Sequence, residues 1–246
     1  MIKQVFDLNT VDSTNDYLLR LINSGQCHEG TLVVAKEQTA GKGLAGNKWE
    51  SEPGKNLTFS FYMVPDFLEP ARQFDLNKAI SLAVCDYVRQ KLPGENVRVK
   101  WPNDIYTGNR KVAGILIQTA IRGDRFEYVI TGIGINVNQQ VFLSDAPNPV
   151  SLIHYLKKEL DLAPELSQVI RFLNGRLDML RESSSDQLDR DYLFALYRYD
   201  QYAEYVYQGT PVVARIKGVN NFGQLILITA DKKKLVCGLK EVEFVI

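Results

Sequence analysis

Val99-Lys-Trp-Pro-Asn-Asp-Ile-Tyr106, a polar turn, and then Lys111-Val-Ala-Gly-Ile-Leu-Ile-Gln118 form the stretch on which the reading of this chain turns. Both ends have strand character, but the middle does not alternate apolar and polar residues as a half-buried strand would. A cation (Lys100), a large aromatic (Trp101), a proline that interrupts a ladder (Pro102) and the polar pair Asn103 and Asp104 are consecutive. The pattern predicts a reactive turn framed by two strands.

Upstream, Leu57, Phe59, Phe61 and Met63 alternate with Thr58, Ser60 and Tyr62, which predicts a strand with one face in the core. Leu76, Ala79, Ile80, Ala83, Val84, Tyr87 and Val88 recur at helical spacing and predict a helix laid on the sheet by one stripe. Earlier still come a short strand (Lys3 to Leu8), a helix opened by Ser13 and Asp16 and stopped at Gly25, and a buried strand (Thr31 to Glu37). Downstream, Lys111 to Ala120 and Phe126 to Val137 read as a hairpin turning at Arg122-Gly123-Asp124. Helical periodicity runs from Val150 to Tyr199, with a break at Ser183-Ser184-Ser185. Short strands then follow from Pro211 to the end: Val212 to Lys217, Gln224 to Ile228, Lys234 to Cys237 and Val242 to Ile246.

The 246 residues suffice for one large domain with a small appendage, and 29 cations against 29 anions leave no formal net charge to attract nucleic acid or an acidic membrane. Cys27, Cys85 and Cys237 are odd in number and widely spaced, which argues against a disulfide framework or a zinc site. The N-terminus has no apolar targeting core, and no apolar run is long enough to span a bilayer. The expected location is the cytoplasm.

The loop Gln38-Thr-Ala-Gly-Lys-Gly-Leu-Ala-Gly-Asn-Lys48 has three glycines, two lysines and no acid. Gly41, Gly43 and Gly46 let backbone N–H groups approach an anion, although the spacing is neither that of a P-loop nor of a dinucleotide fingerprint, and such loops are often only connectors. Lys111 opens an apolar strand, where its charge must reach solvent or meet an anion. With Asn103 and Asp104 a few residues away, an amide, a carboxylate and an ammonium can converge on one pocket, with Asp104 able to hold Mg²⁺ on a nucleotide; equally, Asn103 and Asp104 are common turn formers after a proline. Asn136 follows Gly132 and Gly134 at a strand end, suited either to reading a ring such as adenine or to making a turn. Ser13, Thr14 and Asn15 either cap a helix or bind a polar ligand. Trp49 and Trp101 are either pocket walls or core. His28 and His154 lack partners at any catalytic spacing.

Taken in order, Ser13-Thr14-Asn15, Gln38-Thr39-Ala40-Gly41-Lys42-Gly43, Trp49, Lys100-Trp101-Pro102-Asn103-Asp104, Lys111-Val-Ala-Gly114 and Gly132-Ile-Gly-Ile-Asn136 resemble the biotin protein ligases. The resemblance implies an α/β (α+β) fold: a mixed β-sheet catalytic domain with flanking helices over residues 1–205, like class II aminoacyl-tRNA synthetases, and a small SH3-like C-terminal β domain over 206–246. It implies activation of biotin with ATP and Mg²⁺ to biotinyl-5′-AMP, then transfer to one lysine of a biotin carboxyl carrier domain. Lys111, Lys42 and Asp104 would be catalytic, with Asp104 the metal position. Ser13, Thr14, Asn15, Gln38, Gly41, Lys42, Gly43, Lys111, Gly114 and Gly132 would hold biotin. Lys42, Trp49, Asn103, Lys111 and Asn136 would hold the nucleotide.

Two departures matter. Many bacterial members carry arginines at the positions of Lys42 and Leu44, the second associated with holding the adenylate, so Leu44 implies weaker retention or use of Lys48 instead. The pattern also begins within the first dozen residues, without room for the DNA-binding domain of some members, so no DNA partner is expected. Sheet edges allow a homodimer. The alternatives are a lipoate protein ligase, which lacks the Lys-Trp-Pro-Asn-Asp signature, and a non-catalytic biotin- or nucleotide-binding protein.

Overall fold

Alternation and helical periodicity resolve into two sheets in the computed structural model, which describes residues 2–144, 146–182 and 185–246. The first 135 residues build β1 (Gln4–Val11), α1 (Thr14–Asn23), β2 (Thr31–Gln38), β3 (Leu57–Met63), α2 (Gln73–Lys91), β4 (Val97–Lys100), β5 (Asp104–Thr107), β6 (Arg110–Arg122) and β7 (Arg125–Ile135). These strands form one seven-stranded sheet in the order β1-β2-β3-β7-β6-β5-β4. Only β1 and β2 run parallel, so the sheet is mixed.

Its two faces are covered unequally. On one, Leu57, Phe59, Phe61 and Ile133 pack into the main core with α2, which α4 (Leu162–Glu182) and α5 (Ser185–Ala195) cover in turn. On the other, α1 seals only a small cluster of Leu18, Leu21, Val33 and Ile130. The short α3 (Ile153–Leu156) precedes α4.

Two expectations change here. β3 is central, not half-exposed: Thr58 and Ser60 are buried too, because α1 lies over them and their hydroxyls donate to Ala35 O and Asn15 Oδ1, each at 2.6 Å. α2 is buried well beyond one stripe, since it is enclosed between sheet and helices; its Lys78 is tolerated there by ion pairs to Asp75 (2.8 Å) and Asp189 (2.5 Å). The expected break at Ser183-Ser184-Ser185 lies outside the described residues, apart from the start of α5.

The C-terminal strands form an antiparallel five-stranded sheet in the order β11-β10-β9-β8-β12. It comprises β8 (Tyr202–Tyr207), β9 (Thr210–Val219), β10 (Leu225–Thr229), β11 (Lys234–Cys237) and β12 (Val242–Phe244). β8 has no counterpart in the sequence reading, and it brings the start of this sheet to Tyr202, ahead of residue 206. No helix among the described residues is long and apolar enough to cross a membrane.

Candidate functional site

Strand register sets out the site. Lys100 pairs with Asp104, Asp104 with Gly114, Gly114 with Gly134 and Gly134 with Thr58, one row across five strands. In the adjoining row Leu116 pairs with Gly132 and Gly132 with Ser60. The glycines keep this face of the sheet low, so that a large side chain and a ligand can lie on it. Trp49 does lie there: a Cβ on Gly134 would come 2.5 Å from its Cζ2, and one on Gly114 would come 3.1 Å from its Cζ3.

Two cavities open on either side of this indole. The first, of about 180 Å³, is lined by Ser13, Thr14, Asn15, Gln38, Lys42, Gly43, Leu44, Trp49, Trp101, Asn103, Gly114 and Gly132, among others. The second, of about 570 Å³, is lined by Tyr106, Asn136, Phe142, Leu143, Pro147 and Pro149. Asn47, Lys48, Trp49, Lys100, Asp104 and Lys111 belong to both.

The floor of the first cavity is a continuous polar chain. Ser13 is the N-cap of α1, its hydroxyl accepting from Asp16 N, which sets Thr14 and Asn15 in the first turn facing the sheet. Thr14 N and Oγ1 both donate to Gln38 Oε1 (2.8 and 3.0 Å), and Thr14 Oγ1 lies 2.6 Å from Ser60 Oγ. Asn15 accepts from Ser60 and donates to Gln118 Oε1 at 2.8 Å. Gly132 admits Asn15, whose Cγ would lie 3.0 Å from a Cβ there.

The wall common to both cavities is cationic. Lys111 Nζ sits 2.7 Å from Asp104 Oδ1 and 5.6 Å from the centre of a Trp49 ring. Among the described residues Asp104 is the one carboxylate common to both cavities, against Lys48, Lys100 and Lys111, while Glu50 lines the second cavity alone. Burial, with Lys111 and Arg198 nearby, pushes the Lys100 ammonium below the ordinary lysine range, and Asp104 opposes that shift. In the second cavity Asn136 is buried; its Nδ2 donates to Val150 O (3.1 Å), whereas Oδ1 is buried without a partner among the described residues. An unpaired acceptor there suits a ligand N–H. A further neighbour of the site, the Trp49 Nε1 donor, is buried and unpartnered as well.

Most of the predicted residues therefore converge, with three qualifications. Gly41 does not line the cavity: it is buried where a Cβ would meet Trp49 O at 2.5 Å, and its carbonyl accepts from Trp49 N. Asn103 lines the first cavity but not the second, and uses its amide on the Ile115 carbonyl, fastening the turn to β6. Lys42 is held by Asp16 at 2.7 Å, a half-exposed pair worth about 0.2–1 kcal/mol. As for metal, no cluster of three or more His, Cys, Asp or Glu side chains that could hold an ion occurs among the described residues.

Sequence reasoning passed over Gln118 and Ser60, which complete the polar floor, and Lys100, which was quoted without a role. It also passed over Phe142, Leu143, Ser144, Ala146, Pro147 and Pro149, which wall the second cavity. Lys100 was detectable as a charge ending a strand beside the polar pair. The 142–149 segment has no periodicity that would have singled it out.

The architecture has close counterparts. The biotin protein ligase from Aquifex aeolicus, solved in complex with biotin and ATP, superposes with a TM-score of 0.80 over 99% of this chain and 100% of that one, at 26% identity. The bifunctional ligase/repressor BirA of Salmonella typhimurium is 42% identical over 142 residues, 57% of this chain and 43% of BirA. That of Escherichia coli is 42% identical over 131 residues, 53% and 39% of the two chains. The matched part thus spans about two-fifths of those relatives' length. The model of the biotin/lipoate A/B protein ligase family matches residues 8–136, the span that holds both cavities' strands and the whole lysine wall. With more than half of the sequence matched, and the fold matched over nearly all of it, the chain belongs to the biotin/lipoate A/B protein ligase family.

Proposed function

We propose that this protein is an ATP-dependent biotin protein ligase. In the first step a biotin carboxylate oxygen attacks the α-phosphorus of ATP and pyrophosphate leaves. In the second, the ε-amine of a carrier lysine attacks the acyl carbon of biotinyl-5′-AMP, forming an amide and releasing AMP. The observation that carries this reading is Lys111, which stands on the wall between a small polar-floored cavity and a larger one ending at the unpaired acceptor of Asn136.

The chemistry brings anions together and needs fixed positive charge more than a protein nucleophile. Lys111 would neutralise the carboxylate and the α-phosphate as they approach. Thr14, Gln38 and Asn15 would exchange hydrogen bonds with the ureido ring, Gly114 and Gly132 would leave room for the bicycle, and Asn136 Oδ1 would accept from the adenine amine. Trp49 would separate and cover the two ligands. Lys42 and the Gly43 amide would close on the carboxylate once Lys42 leaves Asp16 and the Gly43 N–H leaves the Asn47 carbonyl, to which it donates at 2.7 Å. Mg²⁺ would arrive with ATP, held by phosphate oxygens and Asp104.

The partner in this reading is a biotin carboxyl carrier domain in the cytoplasm. The catalytic unit comprises the larger sheet and its helices, and the smaller unit begins at Tyr202 with β8. β1, at an open edge of the larger sheet, is where a second copy would pair.

The test mixes the protein with Mg-ATP, biotin or lipoate, and an apo carrier domain, following pyrophosphate release and carrier mass. Biotin-dependent release and a carrier heavier by one biotinyl group are expected. Turnover with lipoate alone, or with neither acid, overturns the reading.

A further inference from the structure

Lys100 is a cation without an ion-pair partner among the described residues, in a confined place. It ends β4, is half-buried, and belongs to the wall common to both cavities. Its Nζ lies 5.4 Å from the ring centre of Tyr106 on β5 and 4.8 Å from that of Phe244 on β12, so one of its two aromatic contacts comes from the second sheet. The one carboxylate of the wall, Asp104, already has an oxygen 2.7 Å from Lys111 Nζ. Two ammonium groups therefore face one carboxylate, and ring faces do not neutralise a charge; they hold it where an anion can complete its coordination.

The position of β4 identifies the anion. Asn136 follows β7, Lys111 is on β6, Asp104 on β5 and Lys100 on β4, in the spatial order of the strands. Strands lie about 4.8 Å apart, so β4 stands roughly 10 Å beyond β6, with Lys100 in the row of Asp104 and Gly114, two positions along the strand from the row of Tyr106 and Lys111. A nucleotide with its ring at Asn136 and its α-phosphorus at Lys111 lays its β- and γ-phosphates toward Lys100.

We propose that Phe244 and Tyr106 form an aromatic clamp that aims Lys100 at the departing pyrophosphate, making the last strand of the chain a positioning element of the phosphate site. The clamp rests on the ligase reading above. Lys100 is the group that touches phosphate; Phe244 acts through it. Phe244 itself is anchored edge-on against Tyr205, ring centres 5.1 Å apart, so the second sheet fixes the ring and the ring fixes the ammonium.

The experiment measures biotin-dependent exchange of labelled pyrophosphate into ATP for wild type, Phe244→Leu, Lys100→Met, Lys100→Arg and the double variant Phe244→Leu/Lys100→Met. Leucine keeps the apolar volume of Phe244 and removes the ring face. The KM values for pyrophosphate and Mg-ATP are expected to rise roughly three- to tenfold in Phe244→Leu, the scale of a partly desolvated cation–π contact, with the biotin KM unchanged. Lys100→Met is expected to lose more, Lys100→Arg to recover most of it, and the double variant to match Lys100→Met alone. Additive losses in the double variant, or a biotin KM that rises as much as the pyrophosphate KM, overturn the clamp. Should the wild type show no biotin-dependent exchange, the ligase reading fails separately. Calorimetric titration of Mg-pyrophosphate into wild type and Phe244→Leu then decides the clamp: weaker binding by the variant supports it and equal affinity refutes it.

Discussion

Gly134→Ala puts the architecture of the site under direct strain. A Cβ built on Gly134 would lie 2.5 Å from Trp49 Cζ2 and 2.6 Å from Nε1. Carbon atoms in good contact are about 3.6 Å apart, so the indole must retreat by roughly 1 Å. β7 cannot give way, because Gly134 is paired on both sides, with Thr58 on β3 and Gly114 on β6. Trp49 sits in a loop and can move, and the cost of such overpacking, about 1–3 kcal/mol, falls on the bound state in which the indole must return. That corresponds to roughly five- to 150-fold weaker ligand binding. Since Trp49 borders both cavities, the KM values for biotin and Mg-ATP should rise together, with the melting temperature little changed. Gly114→Ala supplies the internal scale for KM: its Cβ would stand 3.1 Å from Trp49 Cζ3, which needs only a few tenths of an ångström, so its rise in KM should be several-fold smaller, while its contacts at 3.2 and 3.3 Å with Lys111 Cε and Nζ act on kcat instead. Steady-state kinetics with differential scanning fluorimetry on the two variants checks the order. KM values within twofold of wild type in Gly134→Ala, or a larger rise in KM in Gly114→Ala, would refute the packing argument.

Three further outcomes follow from the lysines and the glycine loop. Lys111→Ala should leave the fold intact by circular dichroism while abolishing biotinyl-adenylate formation; normal pyrophosphate release from this variant would overturn the central assignment. Leu44→Arg, adding a cation beside the first cavity, should slow dissociation of biotinyl-5′-AMP in a chase experiment, and equal off-rates would remove the idea that Leu44 weakens retention. The third concerns pH. The lowered Lys100 titrates among Asp104, Lys111, Arg198 and Tyr106. A lysine with a lowered value is charged below it and neutral above it, so the Mg-ATP KM should start to rise at a lower pH than an ordinary lysine would give. Lys100→Arg, which stays charged throughout, should flatten that rise, and an unchanged profile would count against it.

How far the chain could be read in advance differs between elements for physical reasons. β3, α2 and the β6–β7 hairpin were legible because apolar spacing or a Gly turn marks them. The lysine wall was partly legible because Lys100, Asp104 and Lys111 are close in sequence, so local strand pairing joins them. β8 was not: it follows a helix without a glycine, and the turn that frees it is made by Arg198 and Asp200, both with positive φ, which arginine does not signal and aspartate signals only weakly. The Lys42–Asp16 pair and the bond from Asn15 to Gln118 join residues 26 and 103 positions apart, where no spacing rule applies. The clamp on Lys100 spans the two sheets and was legible in neither.

The polar floor beneath the first cavity has a consequence for selectivity. Thr14, Asn15, Gln38, Ser60 and Gln118 are already bonded to one another, so a ring that settles on them binds by barter: each hydrogen bond it makes is exchanged for one the protein gives up. A complete set of donors and acceptors roughly breaks even in these trades and gains from burial. A ring lacking one group leaves a floor atom stripped of its old partner and without a new one, at about 1–3 kcal/mol. The protein would then discriminate through the bonds it already has, and its selectivity would be steepest against ligands that differ from the correct one by a single polar atom.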